Sequence, residues 1–128
     1  MSRRYSLGDL QLAIMKVLWQ RREASVAEVH GALLEERGLS PTTIATMLLK
    51  MEKKGVVAHR PEGRKFIYRP TISEEQVRHR MVEELTERLF GGDTGALVAH
   101  LFSADRIHEA ELAEIKQRIA EHDRQKES

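Results

Sequence analysis

The sequence predicts a mainly α fold of the α+β kind, with three helices and a small β-hairpin followed by a second, wholly helical region. Three observations carry that prediction. Apolar residues recur every three or four positions over most of the chain. The period switches to alternation only between residues 56 and 69, and Ser, Pro and Gly stand where helices should begin and end.

The first helix covers about residues 8–22. Leu10, Ile14, Val17 and Leu18 share a face that Trp19 extends, while Asp9 at the start and Arg21-Arg22 at the end complement the helix dipole. The second is announced by Ser25-Val26-Ala27-Glu28, a capping box in which Ser25 accepts from an orphan N–H and Glu28 reaches back. It carries Val29, Leu33 and Leu34 as far as about Glu36, and Gly38 stops it. Ser40 caps the third helix, with Pro41 in the first position, where a missing N–H costs nothing. Ile44, Leu48 and Met51 form its inward face, and Lys53-Lys54-Gly55 ends it.

Residues 56–60 and 65–69 then alternate as two short strands about the turn Pro61-Glu62-Gly63-Arg64, and Pro70 closes the second. Three helices, the last two joined by a brief turn, and then a hairpin make a winged helix-turn-helix over residues 1–72. Residues 73–128 form the helical region. Ser73 and Gln76 make another capping box, and the helix behind it sets Val77, Met81, Leu85 and Leu89 four residues apart before Phe90 and the Gly91-Gly92 break. A short apolar segment follows at 96–102, including Leu97 and Leu101. The last helix, about 105–122, places Leu112, Ile115 and Ile119 at the spacing of a narrow helix–helix seam, and residues 123–128 read as a frayed polar tail.

Composition excludes several classes of function. A chain of 128 residues with 5% aromatics builds a thin aliphatic core, which dimerisation would supplement. The absence of cysteine removes disulfides, thiolate nucleophiles and thiolate metal sites. His30, His59, His79, His100, His108 and His122 form no metal-ligand spacing, and no catalytic triad, phosphate loop or paired-carboxylate context appears, so neither an enzyme, a cofactor nor a metal is expected. No apolar run is long enough for a signal peptide or a membrane span, which reads as a soluble cytoplasmic protein without membrane insertion.

Charge is informative once divided along the chain. Residues 40–69 carry 7 basic and 2 acidic side chains, a net +5, whereas residues 70–128 carry 8 basic and 13 acidic, a net −5. A basic block on the third helix and hairpin points to double-stranded DNA as the partner. The third helix would enter the major groove by its N-terminal turn, presenting Thr42, Thr43, Ala45, Thr46, Leu49 and Lys50, with Lys53 and Lys54 on the backbone. Gly63 lets Arg64 and Lys65 reach a neighbouring groove from the wing tip. Thr42 and Thr43 have a plainer role open to them, as caps. The acidic half reads as a dimerisation unit, its interface drawn from Val77, Met81, Leu85, Leu89, Leu97, Leu101, Leu112, Ile115 and Ile119. A winged-helix module that docks proteins without specific DNA binding is the alternative; the clustered cations favour DNA.

The ordered series of motifs resembles a known family. Leu7-Gly8-Asp9-Leu10-Gln11 leads to Ile14-Met15-Lys16-Val17-Leu18-Trp19, then Val26-Ala27-Glu28-Val29, Leu39-Ser40-Pro41-Thr42-Thr43-Ile44-Ala45-Thr46-Met47-Leu48, Lys53-Lys54-Gly55 and the wing from Glu62 to Pro70. Together they are similar to the penicillinase repressors, the BlaI/MecI family, to which copper-responsive repressors are related. The resemblance implies a homodimer on a palindromic operator that represses by occupying the promoter, with the C-terminal helices as interface. For the antibiotic-sensing members it further implies a membrane sensor-protease system and cleavage between an Asn and a Phe. That bond falls by position between His100 and Leu101 here, where the Asn-Phe pair is absent. Those members carry larger polar residues where this chain has Thr42 and Ala45, and the cysteine pattern of the copper-responsive branch has no counterpart.

Overall fold

The computed structural model describes residues 7–104 and 107–127, in the order α1 (Asp9–Arg21), β1 (Ala24–Ser25), α2 (Val26–Arg37), α3 (Pro41–Lys54), β2 (Val57–Glu62), β3 (Lys65–Pro70), α4 (Glu74–Phe90), α5 (Thr94–Ser103) and α6 (Glu109–Glu127). The helix signals act as expected. Ser25 Oγ accepts from Glu28 N at 3.2 Å while Ser25 N donates to Glu28 Oε1 at 2.9 Å, closing the capping box of α2. Ser40 Oγ accepts from Thr43 N above Pro41, and Gly38 and Gly55 terminate α2 and α3 in the left-handed conformation. Ser73 and Gln76 repeat the capping box before α4.

The sheet has an element that the sequence does not announce. β3 is its central strand, paired antiparallel with β2 on one side and with the two residues of β1 on the other. Ala24 lies opposite Tyr68 and Ser25 opposite Ile67. The β2–β3 register runs from Val57 opposite Pro70 to Glu62 opposite Lys65. The hairpin turn is therefore only Gly63-Arg64, tighter than the four residues expected, with Gly63 at a positive φ of 63°. Pro61 lies within β2, an edge strand where its missing donor is tolerated.

One core fills the space between α1, α2, α3 and the sheet. Ile14, Met15, Leu18, Val29, Ile44, Leu48, Met51, Val56 and Val57 are fully buried, and Tyr68 joins them. The segment after the wing is tied to the same core. Ile72 is buried, Trp19 Nε1 donates to Ile72 O at 2.9 Å, and Thr71 Oγ1 donates to Gly55 O at 2.6 Å. Val77, in the first turns of α4, is only 1% exposed and belongs to this cluster, with Met81 packed against it. That corrects its assignment to a dimer seam. A four-residue apolar spacing cannot distinguish a seam from a helix start docked on its own domain.

The chain divides into two units, up to Glu83 and from Glu84, a boundary inside α4. In the second unit the apolar segment at 96–102 is a full helix. Asp93 caps it by accepting from Ala96 N at 3.0 Å. Its signal, an Asp-Thr pair before an apolar run, is present in the sequence beside the conspicuous glycines. The start expected for the last helix, at Asp105, lies outside the described residues. The helix itself runs to Glu127, so residues 123–127 are its final turns rather than a frayed tail. His108 N donates to Glu111 Oε1 at 3.4 Å and His108 O accepts from Leu112 N, an opening turn for α6. Among the described residues no helix is long and apolar enough to cross a membrane.

Candidate nucleic-acid interface

With Ile44, Leu48 and Met51 buried, the outer surface of α3 is decided. Thr42, Thr46, Lys50 and Lys53 are exposed along it, Ala45 is half-buried at its margin, and Leu49 is 53% exposed. Thr43 is exposed too, but its hydroxyl lies 3.0 Å from Ser40 Oγ and its N–H donates to that same oxygen. Thr43 is thus drawn into the cap that Ser40 makes. Lys54 differs from its neighbours: half-buried, it donates to Gln11 Oε1 at 2.8 Å, and Gln11 Nε2 lies 3.3 Å from Met47 Sδ. The last turn of α3 is in this way fastened to α1.

The wing presents Arg64 and Lys65 on either side of its turn, with Phe66 beside them at 49% exposure. Arg60 serves another purpose. Its guanidinium donates to Glu23 Oε1 at 2.9 Å and lies 3.6 Å from Glu62, which holds β2 to the turn before β1. The hydrogen bond and charge of Glu23 push the Arg60 pKa above its ordinary value, so the clamp stays charged. Arg69, not among the expected contacts, is exposed on β3.

Both acids of the basic stretch are matched with a base. Glu62 faces Arg60, and both carboxylate oxygens of Glu52 lie 2.7 and 2.8 Å from His59 Nδ1. The His59 ring rests on Phe66 and Tyr68, with centroids 4.5 and 5.4 Å away. Burial, and secondarily the Glu52 charge, push the Tyr68 phenol up. Among the described residues, Lys50, Lys53, Arg64 and Arg69 make no ion pair within the chain. Glu62 is offset by the Arg60 guanidinium and Glu52 is hydrogen-bonded to His59, while these four cations remain open to solvent. The Lys65 and Arg21 charges act on Glu28, whose carboxyl is held below its ordinary value chiefly by the Ser25 N–H.

Most of the internal pairings are not visible in the sequence. Arg60 with Glu23 and Lys54 with Gln11 join residues far apart in the chain, and no local pattern marks them. Glu52 with His59 was within reach: an acid in the last helical turn and a histidine entering the next strand flank the Gly55 stop.

In the second unit, Leu97, Leu112 and Ile115 are half-buried, whereas Leu85, Leu89, Leu101 and Ile119 stay exposed, Leu89 at 68%. His100 and Leu101 lie inside α5. The His100 carbonyl accepts from Ala104 N and Ser103 Oγ, and its ring lies 5.8 Å from that of Phe90. Among the described residues no group of three or more His, Asp or Glu could hold a metal ion.

Comparison with known proteins bears on this arrangement. The model of the penicillinase repressor family matches residues 7–121. The chain is 32% identical over 120 residues to the penicillinase repressor of Bacillus licheniformis, covering 94% of each. It is 33% identical over 117 residues to the transcriptional regulator BlaI of Mycobacterium tuberculosis, covering 90% of this chain and 83% of that one. The solution structure of the DNA binding domain of the repressor BlaI matches with a TM-score of 0.51 at 40% identity, over 58% of this chain and 90% of that one.

Proposed function

Since the chain belongs to the penicillinase repressor family, we propose that it is a DNA-binding transcriptional repressor, a cytoplasmic homodimer acting on a palindromic operator. The observation that carries this reading is the set of exposed cations, Lys50 and Lys53 on α3 and Arg64 and Lys65 on the wing, on a stretch with only two acids, one of them paired with Arg60. On this reading the winged helix, residues 1–72, holds DNA and the helical region, residues 73–128, pairs the protomers.

The exposed threonine end of α3 enters the major groove. Thr42 and Thr46 face bases or phosphates, Ala45 offers only a methyl contact, and the wing cations follow the backbone into the next groove. Phosphate contacts release counterions, so affinity falls steeply with salt. Half-buried Lys54 acts one step removed, by holding the end of α3 to α1. Leu85, Leu89, Leu112, Ile115 and Ile119 supply apolar surface for the two-fold partner, and the bound dimer blocks the promoter. Cleavage between His100 and Leu101 by a sensor-protease system requires α5 to open first, because the His100 carbonyl is engaged within the helix.

The test is a salt titration of binding to the protein's own upstream promoter duplex, with random duplex as control. A steep slope and a promoter preference of at least ~10³-fold are expected. Changing Lys50, Arg64 and Lys65 together to Ala should weaken binding and flatten the slope by about 0.9 for each phosphate no longer neutralised. Equal, weak binding to both duplexes would overturn the repressor reading, and unchanged binding by the triple variant would overturn the site.

A further inference from the structure

Glu52 stands in the last turn of α3 and His59 in β2, the outer strand of the wing, and their contact joins the two elements that the proposed function sets on DNA. An ionised carboxylate only accepts hydrogen bonds, so at 2.7 and 2.8 Å Nδ1 must carry the hydrogen. Nε2 makes no hydrogen bond to another described residue. It is the atom free to take up a proton. The ring rests against Phe66 and Tyr68. From α3 it faces the Glu52 carboxylate, and from β3 the neutral Tyr68 phenol. Its strand neighbour Arg60 is bound instead to Glu23 and Glu62.

Neutral His59 leaves Glu52 as a full negative charge beside a surface built for phosphates. Protonated His59 cancels that charge, ties the wing more firmly to α3, and offers Nε2–H as a further donor. Each of these effects favours a polyanion.

We infer that Glu52 and His59 form a positioning pair that sets the wing against α3 and makes DNA binding proton-linked, so that affinity rises when the pair takes up a proton. The inference rests on the DNA-binding reading. Neither residue needs to touch a base; the pair governs the electrostatics and the angle of the elements that do.

The experiment compares the full-length chain with His59→Gln, Glu52→Gln and the double variant, each checked for native helix content by circular dichroism. Duplex affinity is titrated at several pH values between about 6 and 8. Unaltered protein should bind roughly three- to ten-fold more tightly at the acid end. Its salt slope there should also be steeper, by up to about 0.9 per protomer. His59→Gln should lose that increment in both readouts. Glu52→Gln should bind more tightly than the unaltered chain at the alkaline end and respond less to pH, and the double variant should show no additional loss of pH dependence. A pair that merely stabilises the fold would lower the melting temperature in the variants and leave the pH profile unchanged, which would overturn the inference. The same pH profile in all four proteins, with strong binding throughout, overturns it while leaving the repressor reading intact. Absence of duplex binding by the unaltered chain at every pH removes both.

Discussion

Ser25 shows how much one side chain can settle in so small a domain. It is buried, ends β1 opposite Ile67, and caps α2 with Oγ while its N–H donates to Glu28. Replacing it with Ala removes an acceptor from an orphan N–H and should lower unfolding stability by about 1 kcal/mol, read from urea midpoints. Ser25→Asn, which preserves the acceptor, should lose less. Glu28 adds a pH dependence of known sign. Its carboxyl is held below the ordinary 4.5 by the Ser25 N–H, so the stabilisation is present above that value and is lost as pH falls through the depressed folded value. The advantage of the natural chain over Glu28→Gln should therefore shrink in acid; an advantage that persists undiminished into strong acid would contradict it. Arg22 is the converse case, a residue placed against its own preference. It ends α1 at φ 75° and ψ −40°, a region in which a Cβ is strained. Arg22→Gly should raise the melting temperature, with a gain of up to about 1 kcal/mol once the entropy of the added glycine is counted.

At the scale of elements, what was legible in the sequence depended on whether the determinant was local. α2 and α3 follow from Ser25, Ser40, Pro41, Gly38 and Gly55, because caps act within one turn of the backbone. β1 was not legible. Ala and Ser have little strand preference, and only the far-off Tyr68 and Ile67 make a strand of Ala24 and Ser25. Val77 misled for a related reason: its partners are in the core of the first unit, and spacing is silent about which surface an apolar face will meet. Lys54 and Thr43 carried the right chemistry for DNA, but one is tied to Gln11 and the other to Ser40. Changing Lys54 to Ala should for that reason lower stability as well as affinity, whereas Lys50→Ala should lower affinity alone. Thermal melts beside binding isotherms separate the two. α6 offers the element-scale test of association. Charge on its apolar face, as Leu112→Glu with Ile115→Glu, should give monomers by analytical ultracentrifugation with helix content retained. A double variant that remains dimeric places the interface elsewhere.

For the whole molecule, the uneven charge matches the proposed division of labour between a DNA-holding half and a pairing half. The +5 stretch at 40–69 and the −5 stretch at 70–128 cancel, so a net charge of +1 conceals the basic stretch proposed to meet DNA. The proposed dimer makes a further demand, since two winged helices on one palindrome convert the second binding event into an intramolecular one. The Leu112→Glu, Ile115→Glu variant should keep the half-site affinity of a single domain and lose roughly 10²–10⁴-fold on the full palindrome. Equal weakening on half-site and palindrome would mean that the substitutions damage the DNA-binding unit itself.

The bond from Trp19 to the carbonyl of Ile72 has a practical consequence. This is the chain's only tryptophan, and its indole N–H is held by the short connection between the wing and α4. Its fluorescence is thus a built-in gauge of that joint. A shift toward the red marks the moment when water reaches the indole and the connection lets go, whether through heat, denaturant or a ligand. Tyr5 and Tyr68 are the chain's two tyrosines, and excitation at the red edge of tryptophan absorption bypasses both, isolating the signal without any label.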